Sequence, residues 1–366
     1  MTLSALPVGG LAAQALSVAG MPATLPGTPA PVPHAPTTIA WTVPVAAAAT
    51  TSPLIVGDLV IVAHLPGIVA AFRRADGAPS WRAELNPQQP LASDGTLLFV
   101  ASGEAIHALR TADGSVAWRA SAGTLTAPLL VKDGWLIDAT AGKLTARRAT
   151  DGSIVWTAEA SLQRESAAIS GNDLFVPLVD GRVLARDLTN GRIRWERRLG
   201  GAPREPLVVD EAIFLGADDK MFYSLHARSG EIEWRMRVGS GIRGRASTDG
   251  ARVYFAGLDN LVRAVDRWNG AQRWHTGVPF RPLAGPLVAG GSIFVLGAGT
   301  QMRVLLAADG ANAGSITFPA RVALMPAFSE TSGGVILAAV TGGLEESWKL
   351  SLTHAIPVSP ISRPPR

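Results

Sequence analysis

From residue 52 onward, short runs rich in Val, Ile, Leu, Phe and Ala alternate with small polar breaks of Gly, Asp and Asn. Between 204 and 238 four runs follow one another: REPLVVD, AIFLGAD, MFYSLHA and EIEWRMRV. None is long enough to sustain a helical period, so the pattern predicts four short strands separated by tight turns. The last run is marked. A tryptophan stands at 41, 81, 118, 156, 195, 234 and 274, at gaps of 40, 37, 38, 39, 39 and 40 residues. One further step of 40 reaches Gly314, where the turn survives and the tryptophan is lost. The turn keeps a constant distance: Asp76-Gly77, Asp113-Gly114, Asp151-Gly152, Asn190-Gly191, Ser229-Gly230 and Asn269-Gly270 each begin five residues before the tryptophan. Asp-Gly and Asn-Gly supply the left-handed φ that a tight hairpin needs.

A period near 40 with four antiparallel strands per unit describes the blades of a β-propeller. Seven units fill about 52–318, and LMPAFSE, GVILAAV and SWKLSL supply three strands of an eighth. Its fourth strand is expected from the other end of the chain, TTIAWTVPV (37–45), with Trp41 at the repeat position. Closing the ring this way leaves no open sheet edge. The expected fold is therefore all-β, an eight-bladed β-propeller over 37–353; seven blades is the alternative, because the last units are degenerate.

Composition narrows the function. Of 366 residues 47% are hydrophobic and 17% charged, so a large core is available. The net charge of +4 is interleaved with carboxylates and does not make a nucleic-acid binder. With no cysteine there is no disulfide, thiolate metal site or cysteine nucleophile. No charged residue precedes Asp58, and residues 1–20 have the apolar and small-residue character of a secretory signal without its basic start. They are too broken by Gly and Pro for a membrane span. Residues 21–36 read as a Pro-rich tether and 354–366 as a tail. Export is expected, with a flexible apolar tail as the alternative.

Candidate chemistry is sparse. GSGIRG (239–244) matches G-x-G-x-x-G but is followed by turn and strand, whereas a dinucleotide site needs a helix there. His34, His64, His107, His226, His275 and His354 show no metal-ligand spacing. Seven tryptophans at one position are too many for a stacking platform. As spacers between blades, each would bury roughly 150–250 Å², several kcal/mol per junction at about 25 cal/mol/Å². The one signal outside the repeat lies in the links from one blade's outer strand to the next blade's inner strand. Five consecutive links carry arginine: Arg164, Arg204, Arg243 with Arg245, Arg281 and Arg321. Such links share one face around the central funnel, so a basic arc is expected there, open to a partner's carboxylates or an anionic ligand. The competing reading is internal pairing with Asp180, Asp218, Asp219, Asp259, Glu345 and Glu346 on the same face.

A strand ending in Ala-Leu, Ala-Arg or Ala-Val, then a turn, then Trp, resembles the PQQ-like (quinoprotein) repeat, most clearly in LHARSGEIEW (225–234) and VDRWNGAQRW (265–274). Two branches share it. The quinoprotein alcohol dehydrogenases are longer and carry a calcium-bound quinone, a catalytic aspartate and a vicinal disulfide; nothing here supports that chemistry. The other is the BamB family of outer-membrane assembly factors, non-enzymatic scaffolds to which residues 161–195 look similar. In that family a Leu-Arg pair helps dock the barrel-assembly subunit. Here Leu162 matches the leucine, and Arg164 is offset by one. The family's acidic second docking loop is replaced by GGAPREP (200–206), and its lipobox cysteine has no counterpart among these residues. The resemblance implies a periplasmic or otherwise extracytoplasmic, monomeric scaffold with protein partners, no cofactor and no enzymatic activity. The alternative is a sensor propeller taking an anionic small molecule or glycan in its funnel.

Overall fold

The structure, a computed structural model, describes residues 37–322, 324–331, 334–343 and 347–355. The segments expected as signal (1–20), tether (21–36) and most of the tail (354–366) lie outside the described residues, as do Glu345 and Glu346. Among the described residues every regular element is a strand. They form eight antiparallel blades. Blades 1 to 7 occupy 54–84, 92–121, 130–159, 168–198, 207–237, 242–277 and 287–322. Blade 8 takes three strands from the C-terminal end, Ala327–Thr331, Gly334–Thr341 and Lys349–Ala355, and its outer strand, Thr37–Pro44, from the N-terminal end. First strands of neighbouring blades approach one another at five junctions, including that of blades 8 and 1, which closes the ring.

Blade 4 shows how the sequence builds a blade. Its inner strand Ala168–Ser170 is short, and the middle strands Asp173–Pro177 and Arg182–Asp187 are buried on both faces because each is covered by a neighbouring blade. The outer strand Ile193–Arg198 alternates charge with partial burial because one side meets water. Each pair of third and outer strands in blades 1 to 7 carries a register shift just after the turn, and this bulge tips the tryptophan toward the next blade.

Each repeat tryptophan lies on the turn glycine of the following blade: Trp41 on Gly77, Trp81 on Gly114, Trp118 on Gly152, Trp156 on Gly191, Trp195 on Gly230, Trp234 on Gly270 and Trp274 on Gly310. Each indole N–H donates to a carbonyl in or beside that turn, at 2.7–3.1 Å. The loss of tryptophan at Gly314 now has a physical reason. Its ring would need the third-to-outer-strand hairpin of blade 8, and there the chain has its two ends instead of a turn. Junction 7–8 is held differently. Val322 bridges Thr341, Phe294 meets Phe328 edge-on at 5.5 Å, and a cluster including Met302, Phe318, Val335 and Leu337 fills the gap.

Candidate functional site

The links between blades and the hairpins joining second to third strands come together on one face. Pro203 bridges Ala217, Pro282 bridges Gly297, Leu125 bridges Thr140 and Ala49 bridges His64. The link 200–206 is seated most tightly. A Cβ on Gly200 would lie 2.4 Å from Asp219 Oδ2, and one on Gly201 would lie 2.5 Å from the Asp219 nitrogen, so the Gly-Gly pair permits the close approach. Asp219 also accepts from the Tyr223 hydroxyl, and burial with that bond pushes the phenol up to about 12.

The arginines of the arc divide into two groups. Arg204 Nη1 donates to Glu165 at 2.9 Å and Nη2 to Asp218 at 2.5 Å, tying the link before blade 4, its own link and a blade 5 hairpin into one clamp. Arg245 faces Glu205 at 3.9 Å, and burial pushes the Glu205 carboxyl up despite that guanidinium. These two are internally paired. Arg164, Arg243, Arg281 and Arg321 are exposed and make no ion pair with any described residue. Of the carboxylates expected to neutralise the face, Asp218 pairs with Arg204, Asp259 with Arg263 at 2.5 Å and Asp180 with Arg182 at 2.7 Å. The Arg182 hydrogen bond holds Asp180 down at about 2.

Beside Arg164, Leu162 is half-buried. Its carbonyl accepts from the Val179 nitrogen at 2.9 Å, which places it next to a valine side chain that is 40% exposed. Leu162 and Val179 thus form a small apolar patch over blade 4, with the exposed Arg164 two residues further along the same link. A cavity of about 620 Å³ opens among the inner segments of blades 5 to 8, with Glu205, Arg245, Leu287, Met325 and Phe328 in its wall. Among the described residues no three His, Cys, Asp or Glu side chains converge for a metal. GSGIRG runs into the strand Ile242–Thr248, with no helix to meet a pyrophosphate. Sequence inspection does not single out the buried arginines Arg147 and Arg186. The signal was present: both stand where other blades put Phe, Leu or Val.

A closed ring of four-stranded blades, locked by tryptophan on glycine and carrying both paired and unpaired charge on its link face, is a propeller of the PQQ-like repeat class. The chain belongs to the family described as outer membrane protein assembly factor BamB, which matches residues 65–210 and 218–315. No curated protein matches it by sequence. Among solved structures it is similar to BamB from Moraxella catarrhalis, at 17% identity and TM-score 0.70, over 87% of this chain and 98% of that one. The computationally designed Ika8 protein is as close in shape, at 12% identity and TM-score 0.70, over 86% and 98%. The quinohemoprotein alcohol dehydrogenase from Comamonas testosteroni follows at 13% identity and TM-score 0.69, over 90% of this chain and 78% of that one. At such identities the likeness is one of fold, shared by an assembly factor, a design and an enzyme.

Proposed function

We propose that the protein is a non-enzymatic, extracytoplasmic scaffold in outer-membrane protein assembly, which binds a protein component of that machinery through its link face over blade 4. The observation that carries this reading is the patch of Leu162 and Val179 with Arg164 beside it. It combines an apolar surface with one of the four link-face guanidinium groups that make no ion pair with any described residue. Rigid loops on a closed ring suit this task because little ordering entropy is lost on binding. Arg243, Arg281 and Arg321 extend the surface around the funnel; Arg204 and Arg245 shape it from within.

Photo-crosslinking in the native host tests the assignment. A crosslinker at Arg164 or Val179 is expected to capture an assembly-machinery protein, while one at Asp113, in a turn at the opposite end of the blades, captures none. Arg164→Glu combined with Leu162→Ala is expected to abolish co-purification of that protein. Unchanged co-purification from this folded double variant would refute the reading.

A further inference from the structure

In each hairpin blade the third strand carries, opposite the residue that opens the outer strand, a side chain facing the preceding blade. It is Phe72, Leu109, Leu225, Val265 and Leu305 in blades 1, 2, 5, 6 and 7. Blades 3 and 4 have Arg147 and Arg186. The two arginines are held alike. Arg147 Nη1 donates to the carbonyl of Gly152 at 3.3 Å and Nη2 to that of Ser121, on blade 2, at 2.9 Å. Arg186 Nη1 donates to Gly191 at 2.7 Å and Nη2 to Glu159, on blade 3, at 2.9 Å.

They differ at Nε. Arg147 Nε donates to Asp138 Oδ2 at 2.6 Å, a buried ion pair. By register, the place of Asp138 is taken in blade 4 by Val176. Arg186 is 5% exposed, its Nε has no partner, and it makes no ion pair with any described residue. Of its five N–H groups two are engaged and three are not. Burial lowers its pKa, yet a guanidinium keeps its proton in proteins. A buried cation without a counterion is costly.

Arg186 also lines a groove of about 470 Å³ between blades 3 and 4, with Leu184, Ile193 and Arg182 on one side and Gly142, Glu159 and Ser161 on the other. Arg182 is already matched by Asp180 and Glu196. Glu159, exposed at the rim, gives Arg186 its carbonyl and not its carboxylate. The buried unbalanced charge in the groove is therefore that of Arg186, while the Glu159 carboxylate, also without an ion pair to any described residue, stands at the exposed rim.

We propose that this groove is a binding site for a carboxylate, held by the unused N–H groups of Arg186 as Asp138 is held by Arg147 one blade earlier. Blade 3 shows the ligand chemistry within the same chain: a planar carboxylate on the edge of the guanidinium. The carrier is the acidic side chain of a peptide or a small free dicarboxylate. Only the first of these carriers rests on the scaffold reading, and binding to the isolated protein is measured independently of it.

The test follows the arginine Nε–H resonances of the ¹⁵N-labelled protein during titration with glutarate and, separately, with a short polyglutamate peptide. The Arg186 signal is expected to shift saturably with at least one of them. Val176→Asp is expected to keep the fold, supply the counterion from within and weaken binding about tenfold or more, roughly the worth of one charge pair. Arg186→Met should abolish binding, and Val176→Asp serves as the informative variant if that protein is unstable. Tighter binding of peptide than of glutarate assigns the site to a protein partner, and the reverse assigns it to a small dicarboxylate. No shift with either ligand, equal affinity in Val176→Asp, or equally tight binding of inorganic phosphate would overturn the proposal.

Discussion

Gly191 has φ +73°, and a Cβ there would meet Trp156 ring carbons at 2.7 Å. Two penalties therefore coincide at this residue, left-handed strain and a displaced indole. Gly191→Ala is expected to destabilise by more than about 1 kcal/mol, measured as a fall in urea midpoint. The same turn is capped by Asp187, which accepts from the Thr189 nitrogen at 2.9 Å, the Thr189 hydroxyl at 2.6 Å and Arg194 at 2.7 Å. The Thr189 hydroxyl, with its backbone N–H and Arg194 behind it, brings the carboxyl down to about 2. An aspartate depressed in the folded state stabilises above its unfolded pKa of about 3.9, and loses that contribution as pH falls through the folded value. Asp187→Asn should thus lower Tm at pH 6, with the gap to the parent protein closing between about pH 4 and pH 2. A gap independent of pH would mean that the turn is held by its shape alone.

At the scale of the blade, the seven tryptophans and their glycine turns were legible because tryptophan is rare and its distance from the turn is constant. The seventh unit looked degenerate only because sequence gives no view of the next blade's turn. With blade 8 hairpinless at that corner, a ring at 314 would have nothing to lie on. Gly314 also has φ +128°, which disfavours any side chain. Trp274→Ala is accordingly expected to cost about 3–5 kcal/mol, whereas Gly314→Trp should not stabilise and should lower the thermal midpoint. A gain from Gly314→Trp would show that junction 7–8 does contain a tryptophan seat. The charges were less legible. The Ala-Leu, Ala-Arg and Ala-Val strand ends count as one repeat signature, which hides the fact that Arg147 and Arg186 place a cation where Leu109 places a methyl surface. The arc of link arginines had a similar difficulty: Arg204 and Arg164 look alike in sequence, and only the fold brings Glu165 and Asp218 to the first of them.

The ring as a whole depends on one seam. Thr37–Pro44 pairs with Lys349–Ala355, and Trp41 from that strand covers Gly77 of blade 1, so a single N-terminal strand completes one blade and locks two. In a repeat array each unit is stabilised chiefly by its neighbours. Opening the seam would expose a strand edge in blade 8 and strip blade 1 of a neighbour at once, which makes it the place where unfolding should begin. Thr42 Oγ1 and Ser351 Oγ face each other across the seam at 3.0 Å, and the chain has no cysteine of its own to interfere. Thr42→Cys combined with Ser351→Cys should therefore form a disulfide without backbone movement. Bridging a loop of this length is worth on the order of 5 kcal/mol by chain entropy. The oxidised double variant is expected to unfold at higher urea and more slowly than the same protein under reducing conditions, which should match the parent chain. A higher midpoint with an unchanged unfolding rate would place the first opening at another junction, and blade 7 against blade 8, without a tryptophan between them, is where a second bridge would then be tried.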